Sequence, residues 1–159
     1  MVNSLTNVLY DEDGYARARA AISLSQLAQA TPEAMNVLID ALHAHNSSVR
    51  NRAAWSLSQL VQNNLDVQNS LIMTLRNDPD ASVRSIAAES LGKSAKATPE
   101  MLNALLSALY SEDTLVRDGA AISLGQLAQV TPEVLNIQMI TPNGVSASVQ
   151  NRETWRQGK

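Results

Sequence analysis

The sequence predicts an all-α protein, a right-handed α-α superhelix (solenoid) of about four helix pairs plus a degenerate fifth. Three observations predict it. The stretch "RAAISLSQLAQATPE" (Arg19–Glu33) returns as "GAAISLGQLAQVTPE" (Gly119–Glu133), identical at 12 of 15 positions and 100 residues later. A Val-Arg or Ala-Arg pair stands at Ala16-Arg17, Val49-Arg50, Val83-Arg84 and Val116-Arg117, with spacings of 33, 34 and 33. Thr-Pro-Glu keeps the same step at Thr31, Thr98 and Thr131, and Asn64-Leu65-Asp66 fills the remaining slot. One hundred is thus three repeat lengths. Periods of this size mark arrays whose units bury their apolar faces only by stacking.

The chain divides as one solenoid domain, 1–159, with repeats at about 1–30, 31–63, 64–97 and 98–130 and a C-terminal cap at 131–159. The first helix of repeat 1 lacks the Thr-Pro-Glu opening, and its Leu5, Val8 and Leu9 belong to an outermost helix. In the later units Thr31, Asn64, Thr98 and Thr131 suit the N-cap. Pro then fits the first helical turn, and Glu favours the positive end of the helix dipole. First helices carry apolar residues at helical spacing, as in Met35, Leu38, Ile39 and Leu42, or Leu102, Leu105, Leu106 and Leu109. A polar turn such as "NDPDAS" follows. Second helices repeat one rhythm, in which Val49, Ala53, Ala54, Leu57, Leu60 and Val61 form a stripe wide enough to be covered from both sides.

The tail departs from this text at "IQMITPNGVSASVQNRETWRQGK", where Pro142-Asn143-Gly144 would stop a helix. Yet Val149, Asn151, Arg152 and Trp155 lie 100 residues after Val49, Asn51, Arg52 and Trp55. The tail therefore reads as a fifth repeat with a short first helix and a stub of a second. Limited cover at such an end favours self-association. The expected contact is a homodimer through a terminal repeat, the C-terminal one with Met139, Val149 and Trp155.

Composition narrows the function classes. Phe and Cys are absent and only 3% of residues are aromatic, so Leu, Ala, Ile, Val and Met must build the core. Thiolate and disulfide chemistry are excluded. A formal net charge of −3, from 12 basic and 15 acidic residues, is the wrong sign for a chain living on nucleic acid. No secretory leader or membrane-length apolar run is legible, so the chain reads as soluble and cytoplasmic, with no membrane partner.

The segment "DPDASVRSIAAESLGKSAKATPE" resembles the short HEAT repeat, in particular the HEAT-like repeats of the phycobilisome-lyase type. The turn Asp, the Val-Arg pair, the double Ala and the Leu-Gly carry the likeness, over about residues 3–136. It implies a binding scaffold whose second helices line a concave side. It also implies that the turn residues Asp13, Asn46, Asp80 and Asp113 pair with Arg17, Arg50, Arg84 and Arg117 in a ladder between repeats.

The motifs that carry chemistry are missing. There is no Gly-rich phosphate loop, zinc spacing or nucleophile motif, so no enzyme and no cofactor are expected. His43-x-His45 and the "DED" at Asp11–Asp13 read as solvated turn residues. The column Ser23, Ser56, Ser90 and Ser123 lacks a base in register and reads as small packing residues. The stronger signal is variation. Three, four and seven places after each repeat arginine stand Ala, Ala and Leu in every copy, whereas places one, two, five and nine vary. The variable set is Ala18, Arg19, Ile22 and Gln26; Asn51, Arg52, Trp55 and Gln59; Ser85, Ile86, Glu89 and Lys93; Asp118, Gly119, Ile122 and Gln126. Trp and Arg are enriched at binding hot spots. Apart from Ala18, Ser85 and Gly119 this set is the expected partner surface, suited to a helix or extended segment of another protein. The competing reading is a subunit of a phycobilin lyase or phycobilisome-processing factor, and nucleic-acid binding comes last.

Overall fold

The structure, a computed structural model, describes residues 1–132 and the backbone of 138–140 and 146–148. Its helices follow in pairs: α1 (Val2–Leu9) and α2 (Gly14–Ala28), α3 (Pro32–Ala41) and α4 (Ser47–Leu57), α5 (Leu65–Asn77) and α6 (Ala81–Leu91), α7 (Pro99–Ala108) and α8 (Thr114–Val130). Each first helix packs on its own second helix, and α2, α4, α6 and α8 pack side by side in one continuous layer. The first helices form the other layer, where α1 meets α3 and α5 meets α7. The core lies between the layers, built of Leu, Ala and Val with Met101 and Ile72. Val49, Ala53, Ala54, Leu57 and Val61 are buried as the stripe requires, and Leu60 is half-buried.

The repeat arginine sets the geometry of each pair. Arg17 Nη1 donates to the carbonyl oxygens of Asp11 and Glu12 at 2.8 and 2.7 Å. Arg50 reaches Ala44 and His45 at 3.0 and 2.9 Å, Arg84 reaches Asp78 and Pro79 at 2.7 and 3.1 Å, and Arg117 reaches Ser111 and Glu112 at 2.7 and 2.8 Å. These are carbonyls of the turn just beyond each first helix, where oxygens lack helical donors and carry the negative end of the dipole. One guanidinium therefore ties the end of the first helix to the start of the second.

The ladder expected from Asp13, Asn46, Asp80 and Asp113 is corrected accordingly. These four residues cap the second helices, accepting from the amides of Tyr15, Ser48, Ser82 and Leu115. A short polar side chain two places before a helical amide is engaged by that amide, and none of the four forms an ion pair with a repeat arginine among the described residues. The Ser82 hydroxyl and amide hold Asp80 below the usual carboxylate range. Since the folded value is depressed, that contribution exists above the unfolded range and is lost as pH falls through the folded value. The charged rung comes from elsewhere. Arg50 Nε and Nη2 meet Asp78 Oδ2 and Oδ1 of the next repeat at 2.7 and 3.1 Å, both side chains buried. Hydrogen bonding to Asp78 outweighs burial and raises the Arg50 pKa above its ordinary value. Arg17 stands before Ala44 at the corresponding place and bonds Ser48 Oγ instead, at 3.0 Å.

The other caps divide. Asn64 and Thr98 accept from the amides of Val67 and Met101. Thr31 sits at its N-cap without such a bond, its hydroxyl turned back to the Leu27 carbonyl at 2.9 Å. Thr131 closes α8 and accepts from the amide of Ala97 at 3.1 Å.

The tail needs a second correction. Where a fifth helix pair was expected, Gln138–Ile140 (β1) and Ser146–Ser148 (β2) pair antiparallel, with Met139 opposite Ala147. Pro142 cannot donate within a helix, and Asn143-Gly144 is the strongest short-range hairpin signal a sequence can carry. Val149, Asn151, Arg152 and Trp155, with the dimer contact expected there and at the Met139 side chain, lie outside the described residues. At the other end Leu9 is buried, Leu5 is half-buried and Val8 is exposed.

Two outcomes follow for stability. An added Cβ at Gly92 would stand 2.8 Å from Ser123 Cα, so α6 and α8 touch backbone to backbone, while Gly125 has open space. Gly92→Ala should therefore cost about 1–3 kcal/mol by overpacking, and Gly125→Ala should gain about 0.5–1 kcal/mol as an exposed mid-helix replacement. Urea titration checks both signs. Arg50→Met strands the buried Asp78 and should cost about 3–5 kcal/mol. Arg84→Met loses only turn contacts and should cost about 1.5–3 kcal/mol. Equal losses in the two variants would show that the Asp78 rung adds nothing.

Candidate functional site

Because second helices lie side by side in one repeat register, equivalent positions line up in rows across the layer. The row two places after the arginine reads Arg19, Arg52, Ile86, Gly119. The row at place five reads Ile22, Trp55, Glu89, Ile122, and the row at place nine reads Gln26, Gln59, Lys93, Gln126. At about 1.5 Å rise per residue the first two rows lie roughly 4.5 Å apart along each helix, and the third follows roughly 6 Å on in α2 and α8, while Gln59 and Lys93 stand just past the ends of α4 and α6.

All thirteen residues expected on the partner surface reach solvent. Arg19, Ile22, Gln26, Arg52, Trp55, Gln59, Glu89, Lys93, Asp118, Ile122 and Gln126 are exposed, and Asn51 and Ile86 are half-buried. Trp55 is 43% exposed, Ile22 41% and Ile122 54%, large apolar groups left in water amid polar neighbours. Three, four and seven places after the arginine the side chains point the other way, and Ala20, Ala21, Leu24, Ala87, Ala88 and Leu91 are all buried. In the last repeat Ala121 is exposed and Leu124 half-buried, α8 having no further helix beside it among the described residues.

Among the described residues the only ion pair joins Arg50 to Asp78, so the charges of the face are not paired with one another. Lys93 Nζ instead donates to Ser58 Oγ across the α4–α6 seam at 3.1 Å. Ser85 Oγ donates to the Leu115 carbonyl at 2.9 Å, fixing α6 to α8 beneath the face.

The serine column does more than fill space. Ser123 Oγ donates to the Ala88 carbonyl at 2.6 Å and Ser90 Oγ to those of Ile86 and Ala54 at 2.7 and 3.3 Å, so hydroxyls pin neighbouring second helices. Ser56 Oγ is buried without a partner. Sequence reasoning missed these bonds because their acceptors are main-chain carbonyls.

A separate cleft of about 500 Å³ opens at the turn edge between repeats 2 and 3, lined by His43, His45, Arg50, Met73, Asn77 and Asp78 among others. Its strongest polar groups are already engaged, Arg50 with Asp78 and two carbonyls, and both histidines are exposed. At the "DED" turn, Asp13 caps α2 and Asp11 Oδ1 accepts from the Asp13 amide at 2.8 Å. No three His, Asp or Glu side chains converge as metal ligands among the described residues. No described helix is long and apolar enough to cross a membrane.

A family model described as HEAT repeats matches residues 2–92 and 68–137. None of the curated protein sequences matches. Among solved structures, human deoxyhypusine hydroxylase in complex with glycerol is similar at 26% identity and a TM-score of 0.66, covering 81% of this chain. The chain spans 44% of the length of that protein. The complex of CpcE and CpcF of phycocyanin lyase from Nostoc sp. PCC7120 gives 22% identity and a TM-score of 0.67, covering 81% of this chain and 79% of that one. Computationally designed armadillo repeat proteins for modular peptide recognition give 16% identity and a TM-score of 0.51, over 84% of this chain and 67% of theirs.

The serine bonds set an expectation for the layer that carries the face. Ser123→Ala should lose about 1 kcal/mol, whereas Ser56→Ala removes a buried hydroxyl with no partner and should leave stability unchanged or raised. Comparing the two midpoints in urea checks the assignment.

Proposed function

The chain belongs to the HEAT-repeat family, and from that premise we propose that it is a non-enzymatic protein-interaction module. On this reading the exposed face of α2, α4, α6 and α8 receives a segment of another protein. The observation that carries it is Trp55, a 43% exposed indole on the packed layer, flanked by Arg52 on its own helix, by Gln59 just past that helix's end, and by Ile86 and Glu89 on the next helix. An indole offers a large, rigid contact area while fixing only two side-chain torsions, and Trp and Arg are the residue types most enriched at binding hot spots.

Packing supports the same face. Second helices touch at every step, α2 to α4 to α6 to α8, while α3 and α5 of the other layer barely meet. On this reading the second-helix side, where neighbours touch at every step, is the concave one. The likeness to deoxyhypusine hydroxylase covers less than half of that enzyme.

The reading as a subunit of a phycobilin lyase or phycobilisome-processing factor draws on the resemblance to the CpcE–CpcF complex, which at 22% identity is one of fold. A visible absorption band on mixing with a tetrapyrrole would favour that reading.

The test of the main reading compares two positions. A photo-crosslinking residue at position 55 should capture a partner, while one at position 73, exposed on the opposite layer, should not. With that partner purified, Trp55→Ala should weaken binding by about 2 kcal/mol, roughly 30-fold, with the thermal midpoint little changed. Equal capture from both positions sinks the reading.

A further inference from the structure

We propose that the bound segment is an extended, polyproline II-like stretch laid across the four second helices, with carboxylates over repeats 1 and 2 and basic side chains over repeats 3 and 4. The proposal rests on the reading of this face as the partner surface and goes beyond it by naming the partner's conformation and charge order.

The order of charges is the first support. From α2 to α8 the exposed charges run Arg19, Arg52, Glu89, Asp118: two positive, then two negative. None of them joins an ion pair among the described residues, although Arg52 and Glu89 stand on adjacent helices. The remaining cation of the face, Lys93, lies outside this sequence of charges at place nine and keeps its own charge while donating to the Ser58 hydroxyl. Four like-ordered, unneutralised charges define a direction along the groove, and a ligand with the complementary order gains at every step. Charges left unpaired in the free protein keep their attraction for such a ligand.

Pitch is the second support. Packed helices lie about 8–10 Å apart, and the backbone contact at Gly92 keeps α6 and α8 within that range. A polyproline II chain has three residues per turn at about 3.1 Å each, so one side of it recurs every ~9.3 Å, in step with the helices. A β-strand shows the same side every ~6.7 Å and drifts out of step. Between the charged positions, Ile22, Trp55 and Ile122 offer apolar ground, and an exposed indole is the kind of surface on which proline rings dock. The fitting segment is therefore acid-x-x-acid-x-x-base-x-x-base, with proline or apolar residues between.

A chain of this spacing can lie in either direction, so inverting its order is no control; alternating the charges is. Two fluorescein-labelled peptides of one composition, Glu-Pro-Pro-Glu-Pro-Pro-Lys-Pro-Pro-Lys and Glu-Pro-Pro-Lys-Pro-Pro-Glu-Pro-Pro-Lys, are titrated with the full chain by anisotropy. The ordered peptide should bind at least tenfold more tightly, with the advantage shrinking as salt screens the contacts. In the double variant Arg52→Glu with Glu89→Lys the groove alternates in sign, and the preference should reverse. Equal binding of the two peptides, no binding of either, or no reversal overturns the proposal. So does tighter binding of a stapled helical peptide carrying the same four charges seven residues apart. If the partner captured at position 55 contacts this face through a segment without that charge order, the inference falls and the reading of the face stands. If position 55 captures no more than position 73, both fall.

Discussion

Each repeat turns on one guanidinium. Arg17, Arg50, Arg84 and Arg117 place Nη1 on two successive turn carbonyls at distances between 2.7 and 3.1 Å. Those oxygens lie past the end of the first helix, where nothing in the helical ladder can satisfy them, and a cation is the strongest donor available. Because the arginine belongs to the first turn of the second helix, the bond fixes the angle at which that helix leaves. Four copies of one angle give four parallel second helices, and only then can Ala and Leu stripes meet their neighbours at constant register. The rows on the exposed face descend from this bond. At Arg50 Lys could not replace it without loss, since a point charge lacks the planar fork that puts Nη1 on two carbonyls and Nε and Nη2 on a carboxylate at once.

Much of the fold was legible because stacking writes itself into the sequence. Ala at two places and Leu at a third recur in every copy, and the structure buries them in the first three repeats. Pro at the first turn of α3 and α7 likewise marked helix starts. What could not be read was whatever depends on main-chain atoms. The carbonyls that Arg17, Arg50, Arg84 and Arg117 grip carry no letter, so the resemblance offered aspartates as partners and those proved to be caps. Asp78 stands two places earlier than the cap Asp80 and is the only acid at that place to meet an arginine of the preceding repeat. The tail misled for a different reason. Its echo of Val49, Asn51, Arg52 and Trp55 is a likeness of side chains, whereas what is described of the tail's backbone is the pairing of β1 with β2. The candidate face was legible only as variation: periodicity puts Trp55 on that side of α4, but its exposure depends on how closely α4 and α6 approach.

The two sets of positions answer to different forces, which is what allows a scaffold to change its ligand. Places three, four and seven meet a neighbouring helix at close approach, where even the single Cβ missing from Gly92 would collide with Ser123. Places five and nine meet water, as do Arg19 and Arg52 at place two and Asp118 at place one, and exchanging one side chain for another there disturbs little packing; Ser85 and Gly119 are buried between α6 and α8 and belong to the frame. Surface substitutions of that sort usually move stability by less than about 0.5 kcal/mol. Charge order along α2, α4, α6 and α8 can therefore drift independently of the frame that displays it. Such drift would be expected to scatter signs or to pair neighbours, because unlike charges on adjacent helices attract. A run of two cations followed by two anions does neither: it brings like charges together at Arg19 and Arg52 and again at Glu89 and Asp118. Those repulsions are weak in water, and on the proposed reading a ligand that neutralises both ends turns them into attraction.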